Sequence, residues 1–143
     1  MHAKSLAVAV SAFGLVAGCS MMPGHDNAGG QKVTLSGAQE VPPVTTSASG
    51  TGTVTVGADC SVQARITVTG MQPTAAHIHA GAAGANGKVI VPFTKEGNDT
   101  FVAPPGAKFD AEGCAAYKAG QTYVNVHSDA HKPGEIRAQL KGQ

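Results

Sequence analysis

Ser61-Val62-Gln63-Ala64-Arg65-Ile66-Thr67-Val68-Thr69 alternates without a break. Val62, Ala64, Ile66 and Val68 fall on one side, and Gln63, Arg65 and Thr67 on the other. A period of two separates apolar from polar side chains only in an extended chain, so this is a strand with one face against a core. The turn Gly57-Ala58-Asp59 joins it to Gly50-Thr51-Gly52-Thr53-Val54-Thr55-Val56, and the two form a hairpin.

The same signals continue in both directions. Lys32-Val33-Thr34-Leu35-Ser36 alternates, whereas Glu40-Val41-Pro42-Pro43 cannot continue a central strand because proline has no amide hydrogen to donate. Downstream, Gly70 to Thr74 turns the chain into Ala76-His77-Ile78-His79-Ala80-Gly81. Gly81 to Gly87 is a glycine-rich loop without the lysine and following helix of a phosphate-binding loop. Val89 to Phe93 is a short apolar strand, Lys95 to Thr100 a polar turn, and Phe101-Val102 a brief strand before Pro104-Pro105. Ala111 to Ala119, stopped by Gly120, is the one helix expected. Thr122 to His127 and Glu135 to Lys141 are the last strands; Val124, Val126, Ile136, Ala138 and Leu140 face the core. With 19 glycines, 8 prolines and 4% aromatics, the pattern predicts an all-β fold. About seven to eight short strands would form a Greek-key-like β-sandwich or flattened barrel.

The beginning of the chain reads as an export signal. Met1-His2-Ala3-Lys4 is a short positive start, and Leu6 to Ala17 has the length of a signal-peptide apolar region, too short to span a bilayer. It ends in Leu15-Val16-Ala17-Gly18-Cys19-Ser20, which is similar to a bacterial lipobox with Cys19 as the acylated residue. An ordinary secretory signal with an incidental cysteine is the competing reading. Ser20 after the cysteine resembles outer-membrane sorting. The expected organisation is a lipoprotein signal peptide at 1–18, a flexible tether at 19–31 and one domain at 32–143. The protein would be lipid-anchored in the cell envelope, at the periplasmic face of the outer membrane. A net charge of +1 provides no field for nucleic acid, and the lipid is the expected membrane contact. Export to an oxidising compartment leaves Cys60 and Cys114 to form a disulfide. Two buried thiols, or two metal ligands, are the alternatives.

The histidines carry the chemistry. Four of the six fall in two patches: His77 and His79 in one, His127 and His131 in the other. On a strand, His77 and His79 leave the same face, opposite Ile78. His127 shares a face with Tyr123 and Asn125, opposite Val124 and Val126. If these strands are neighbours, the imidazoles converge outside the core and suit copper or zinc, with His131 as a fourth ligand. Glu135, Asp129 and Glu40 are the acceptors that would orient the rings. Against this, histidines on strand faces often only cap polar edges. Glu40 fits a structural turn equally well, and Glu135 with Arg137 fits a surface ion pair.

Several of these motifs together resemble the CHRD domain family, named after the repeats of chordin and found widely in exported bacterial proteins. They are Leu35-Ser36-Gly37-Ala38-Gln39-Glu40-Val41-Pro42-Pro43, Ala76-His77-Ile78-His79-Ala80-Gly81, Tyr123-Val124-Asn125-Val126-His127-Ser128 and Gly134-Glu135-Ile136-Arg137-Ala138-Gln139-Leu140. Lys88 stands where the family often has proline, Ala138 where it often has glycine, and His131 where it varies. The resemblance implies little about activity, since bacterial members have no settled function. In chordin the repeats accompany growth-factor-binding modules, which suggests a binding role. The histidine strand is also similar in geometry to the one that holds copper outside a Greek-key barrel in copper-zinc superoxide dismutases.

Three functions therefore compete. A periplasmic copper- or zinc-binding lipoprotein comes first, a non-catalytic protein-interaction module second, and a copper-dependent superoxide dismutase-like enzyme third. No nucleophile elbow, HExxH or spaced carboxylate pair supports other catalysis.

Overall fold

A computed structural model describes residues 30–143. The expected signal peptide, Cys19 and nearly all of the tether lie outside the described residues. Among the described residues there are nine strands: β1 (Gln31–Ser36), β2 (Ser49–Val56), β3 (Val62–Thr69), β4 (Pro73–Ala80), β5 (Val89–Pro92), β6 (Thr94–Glu96), β7 (Thr100–Val102), β8 (Thr122–Ser128) and β9 (Ile136–Leu140). They form one antiparallel sheet in the order β5-β4-β8-β9-β1-β2-β3-β7-β6. The two edge strands, β5 and β6, follow each other in the chain with Phe93 between them. The Phe93 amide donates to the Ala76 carbonyl at 3.0 Å and Lys95 Nζ to the Pro73 carbonyl at 2.7 Å, so β6 lies beside β4. The sheet thus curls into a nearly closed barrel, which leaves little open edge for another chain to pair with. Neighbours that are distant in sequence, such as β4 with β8 and β1 with β9, give it the expected Greek-key character.

The alternation that predicts β3 also builds its packing. Val62, Ile66 and Val68 are buried inside with Leu35, Val54, Ile78, Phe101, Val124, Val126, Ile136 and Leu140. Each such aliphatic side chain contributes about 1.5–3 kcal/mol when fully removed from water. The helix α1 (Ala111–Lys118) matches its expected span. The Asp110 carboxylate caps it by accepting from the Gly113 amide at 2.7 Å. A Cys60–Cys114 disulfide, with Cα atoms 5.8 Å apart, ties this helix to the turn before β3.

Two features differ from the sequence reading. β6 overlaps the stretch from Lys95 expected to be a polar turn; all three of its residues are exposed, and it pairs with β7 in antiparallel register. The outer face of β8 and β9 is not open to water. Every residue of β8 is buried, and Arg137 on β9 is 1% exposed. The loop 81–88 covers part of this face: the Arg137 guanidinium donates to the Ala82 carbonyl and the Asn86 side chain, and Asn86 donates to the Val41 carbonyl of the proline turn.

Candidate metal centre

β4 and β8 are neighbours in antiparallel register, with His79 opposite Tyr123, His77 opposite Asn125 and Ala75 opposite His127. Alternation puts the three histidines on the outer face, where adjacent strands are about 4.8 Å apart and diagonal positions remain within reach of long side chains. His77 and His127 meet across the diagonal, 2.9 Å between Nδ1 and Nε2. One ligand atom from each of His77, His79 and His127 lies within 4.8 Å of the others.

Backbone carbonyls set the tautomers. His127 Nδ1 is 2.8 Å from the Lys132 carbonyl oxygen, and His79 Nδ1 is 2.9 Å from that of Gly87. A carbonyl only accepts, so both Nδ1 atoms carry the proton and both Nε2 atoms present lone pairs. His77 Nδ1 then donates to His127 Nε2. An imidazole tied through one nitrogen to a carbonyl, with the other free, is the usual state of a metal-ligating histidine. His79 Nε2 is buried and has no hydrogen-bond partner.

The electrostatics favour neutral rings at His77 and His79. Burial, reinforced by the neighbouring His127 and His79, pushes the His77 pKa down to about 4. Burial also lowers that of His79, against an upward pull from the Gly87 carbonyl. Neutral imidazole is the form that binds a metal. The His79 ring stacks on Tyr123 with centroids 4.8 Å apart and planes 5° from parallel. On the β9 side, the Arg137 guanidinium lies 3.4 Å from the centroid of the same Tyr123 ring. The Tyr123 hydroxyl in turn accepts from the Gly87 amide at 3.2 Å. Gly87 therefore fixes two members of the stack.

The other expected residues are placed differently. His131 is not in the three-histidine group. Its backbone closes the turn after β8, and it borders a hollow of about 200 Å³ with Glu40, Val41, Pro42 and Pro133. Glu135 accepts from Ser128 Oγ at 2.5 Å and Thr46 Oγ1 at 2.7 Å, so its oxygens are engaged by hydroxyls rather than by the rings or by Arg137. Asp129 is exposed. Glu40 is buried, and desolvation raises its pKa against the pull of Arg137. Its Oε1 and the Asn125 Nδ2 both flank Gly134, where an added Cβ would lie 2.5 and 2.6 Å from them. The carbonyls of Gly87 and Lys132 thus take the ring-orienting part assigned to the three carboxylates. Neither residue type signals that role. The alternation that puts His127 on the outer face also puts Asn125 and Tyr123 there, but neither side chain has the ligand signature of a histidine.

The arrangement is compatible with metal binding. Comparison with known proteins addresses the family rather than the ligand. The family model described as the CHRD domain matches residues 31–140 of the 143. No curated protein and no solved structure matches the chain. The family match spans the barrel, both histidine strands and the turn that carries Glu40, and by it this chain belongs to the CHRD domain family.

Proposed function

We propose that this domain binds a single transition-metal ion through His77, His79 and His127. The observation that carries the reading is the pair of Nε2 lone pairs, on His79 and His127, each fixed by a carbonyl bond at the opposite nitrogen. Two nitrogens bound to one ion at about 2.0–2.1 Å stand about 2.9 Å apart at a right angle and about 3.4 Å apart at a tetrahedral one. His77 Nδ1 and His127 Nε2 are already 2.9 Å apart, a hydrogen-bond separation that one ion could replace with little movement of the rings. A set of imidazole nitrogens suits copper or zinc, and Cu(II) is the ion whose spectrum reports the ligands directly. Opposite ligands can be at most about 4.2 Å apart at that bond length, so the 4.8 Å span contracts slightly on binding. His77 shifts its proton to Nε2 as Nδ1 takes the metal.

The sequence before the domain supports a lipid anchor at Cys19 and a place in the cell envelope. Recovery of the exported protein in a detergent phase with Cys19 acylated is the expected result; a soluble protein with a free Cys19 thiol would be evidence against an anchor. Membership of the CHRD family supports a second reading, that of a protein-interaction module. Metal analysis of the exported protein separates the two. Stoichiometric copper or zinc, lost in a His77→Ala/His79→Ala variant, supports the metal reading. Absence of metal from the wild type, together with failure to take up either ion on addition, leaves the interaction module. A superoxide assay of the copper-loaded protein tests the enzymatic alternative.

A further inference from the structure

Asn125 occupies the centre of the covered face. It is opposite His77 on β4 and opposite Arg137 on β9, with Tyr123 and His127 two residues away on its own strand. It is 1% exposed, yet its Oδ1 has no hydrogen-bond partner. The other end of the amide is engaged: Nδ2 donates to the Pro133 carbonyl at 3.4 Å and faces the Glu40 carboxyl. Carboxylate and carbonyl both accept, which determines the end that carries the NH2 group and leaves Oδ1 towards the imidazoles. The surroundings are closely fitted. A side chain at Gly134, whose φ is +140°, would come within 2.6 Å of Asn125 Nδ2 and 2.5 Å of Glu40 Oε1.

Two acceptors, Asn125 Oδ1 and His79 Nε2, are therefore buried without a donor at diagonal positions on the same face of the β4–β8 pair. Buried polar atoms are rarely left unsatisfied, and each exception calls for an explanation. A protein donor would satisfy one acceptor; a cation satisfies both, and His127 Nε2 with them. We infer that Asn125 Oδ1 is the fourth ligand of the metal, making the site three nitrogens and one neutral oxygen. This inference rests on the three-histidine reading and adds an oxygen to it. The Pro133 carbonyl, which accepts from Nδ2, turns the amide so that oxygen, not nitrogen, points to the ion.

The test compares the full-length wild type with Asn125→Leu and Asn125→Asp. Leucine has a similar shape without the oxygen, and aspartate supplies a charged oxygen at the same place. Cu(II) affinity is measured by competition with a chelator, coordination by electron paramagnetic resonance, and folding by thermal melts of the metal-free proteins. Asn125→Leu is expected to bind at least tenfold more weakly, with an altered spectrum in which nitrogen couplings persist. Asn125→Asp is expected to bind at least as tightly as the wild type, also with a changed spectrum. A folded Asn125→Leu protein with wild-type affinity and spectrum overturns the oxygen ligand and leaves the histidine site standing. If the leucine variant does not fold, an aspartate variant with a spectrum identical to the wild type overturns it instead. A wild type that binds neither copper nor zinc overturns both readings.

Discussion

His77 and His127 are 50 positions apart in the chain, and their rings meet with 2.9 Å between Nδ1 and Nε2. The meeting depends on register. β4 and β8 pair so that Ala75, not His77, is opposite His127, and the two rings close the remaining diagonal. A slip of one residue would send one strand's histidines into the apolar interior. The buried positions of Ile78, Val124 and Val126 on the inner face prevent that slip.

Geometry separates two histidines that the sequence groups together. His127 belongs to the cluster and His131, four residues on, does not. His127→Ala is expected to lower copper affinity at least about 100-fold, beyond the usual 10- to 100-fold loss from removing an outer-shell partner. His131→Ala should bind within about twofold of the wild type. Competition titrations of the two variants check this; equal losses would restore His131 to the ligand set.

The metal-free protein should lose stability in mild acid. His77 titrates near pH 4 when folded and near 6.5 as an unperturbed side chain. Between those values the unfolded chain binds more protons than the folded one, so stability rises with pH and is lost as pH falls through this window. His79 is shifted in the same direction. Burial shifts Glu40 upward from 4.5, so its effect has the opposite sign. In the presence of chelator, the urea midpoint is expected to be lower at pH 5 than at pH 7, and His77→Gln should flatten that difference. An unchanged slope in the variant would show that His77 is not the group responsible.

The sequence made parts of this legible for definite physical reasons. β3 alternates because one face is packed and the other wet, and period two also placed the three histidines together on the outer face. β6 left no such trace, since an edge strand held by backbone pairing and by the polar ends of Lys95 and Glu96 needs no apolar side chains. The burial of Arg137 and Asn125 was invisible for a related reason. It depends on the loop 81–88 and the proline turn folding over a sheet face, and loops carry no periodic signature. The atoms that orient His79 and His127 are carbonyl oxygens, which every residue has. Only the folded geometry distinguishes the Gly87 and Lys132 carbonyls from the rest.

The Cys60–Cys114 bond joins residues 54 positions apart. In the chain-entropy treatment a bond of that span contributes roughly 4 kcal/mol by restricting the unfolded state. Reduction should lower the melting temperature by on the order of 15 °C in a domain of this size. Calorimetry with and without a phosphine reductant measures the shift. Two free thiols in the exported, unreduced protein would show that the bond does not form in the cell.

Gly87 supplies the sharpest test of how His79 is held. Its carbonyl accepts from His79 Nδ1 and its amide donates to the Tyr123 hydroxyl. A side chain at this position would strike the Ala80 carbonyl oxygen, so alanine forces the backbone away from both partners. Gly84 lies in the same exposed loop with φ +79°, and an added methyl group there would meet nothing within 4 Å. Alanine at Gly84 therefore strains the backbone without touching the site. Gly87→Ala should weaken copper binding roughly 10- to 100-fold, as loss of a ring-orienting partner does. Gly84→Ala should leave copper binding unchanged. Because both substitutions fall in an exposed loop outside the apolar core, both proteins should keep cooperative melts. Similar losses in the two variants would point to loop strain as the cause; wild-type binding by Gly87→Ala would mean that the Gly87 carbonyl does not position the ring.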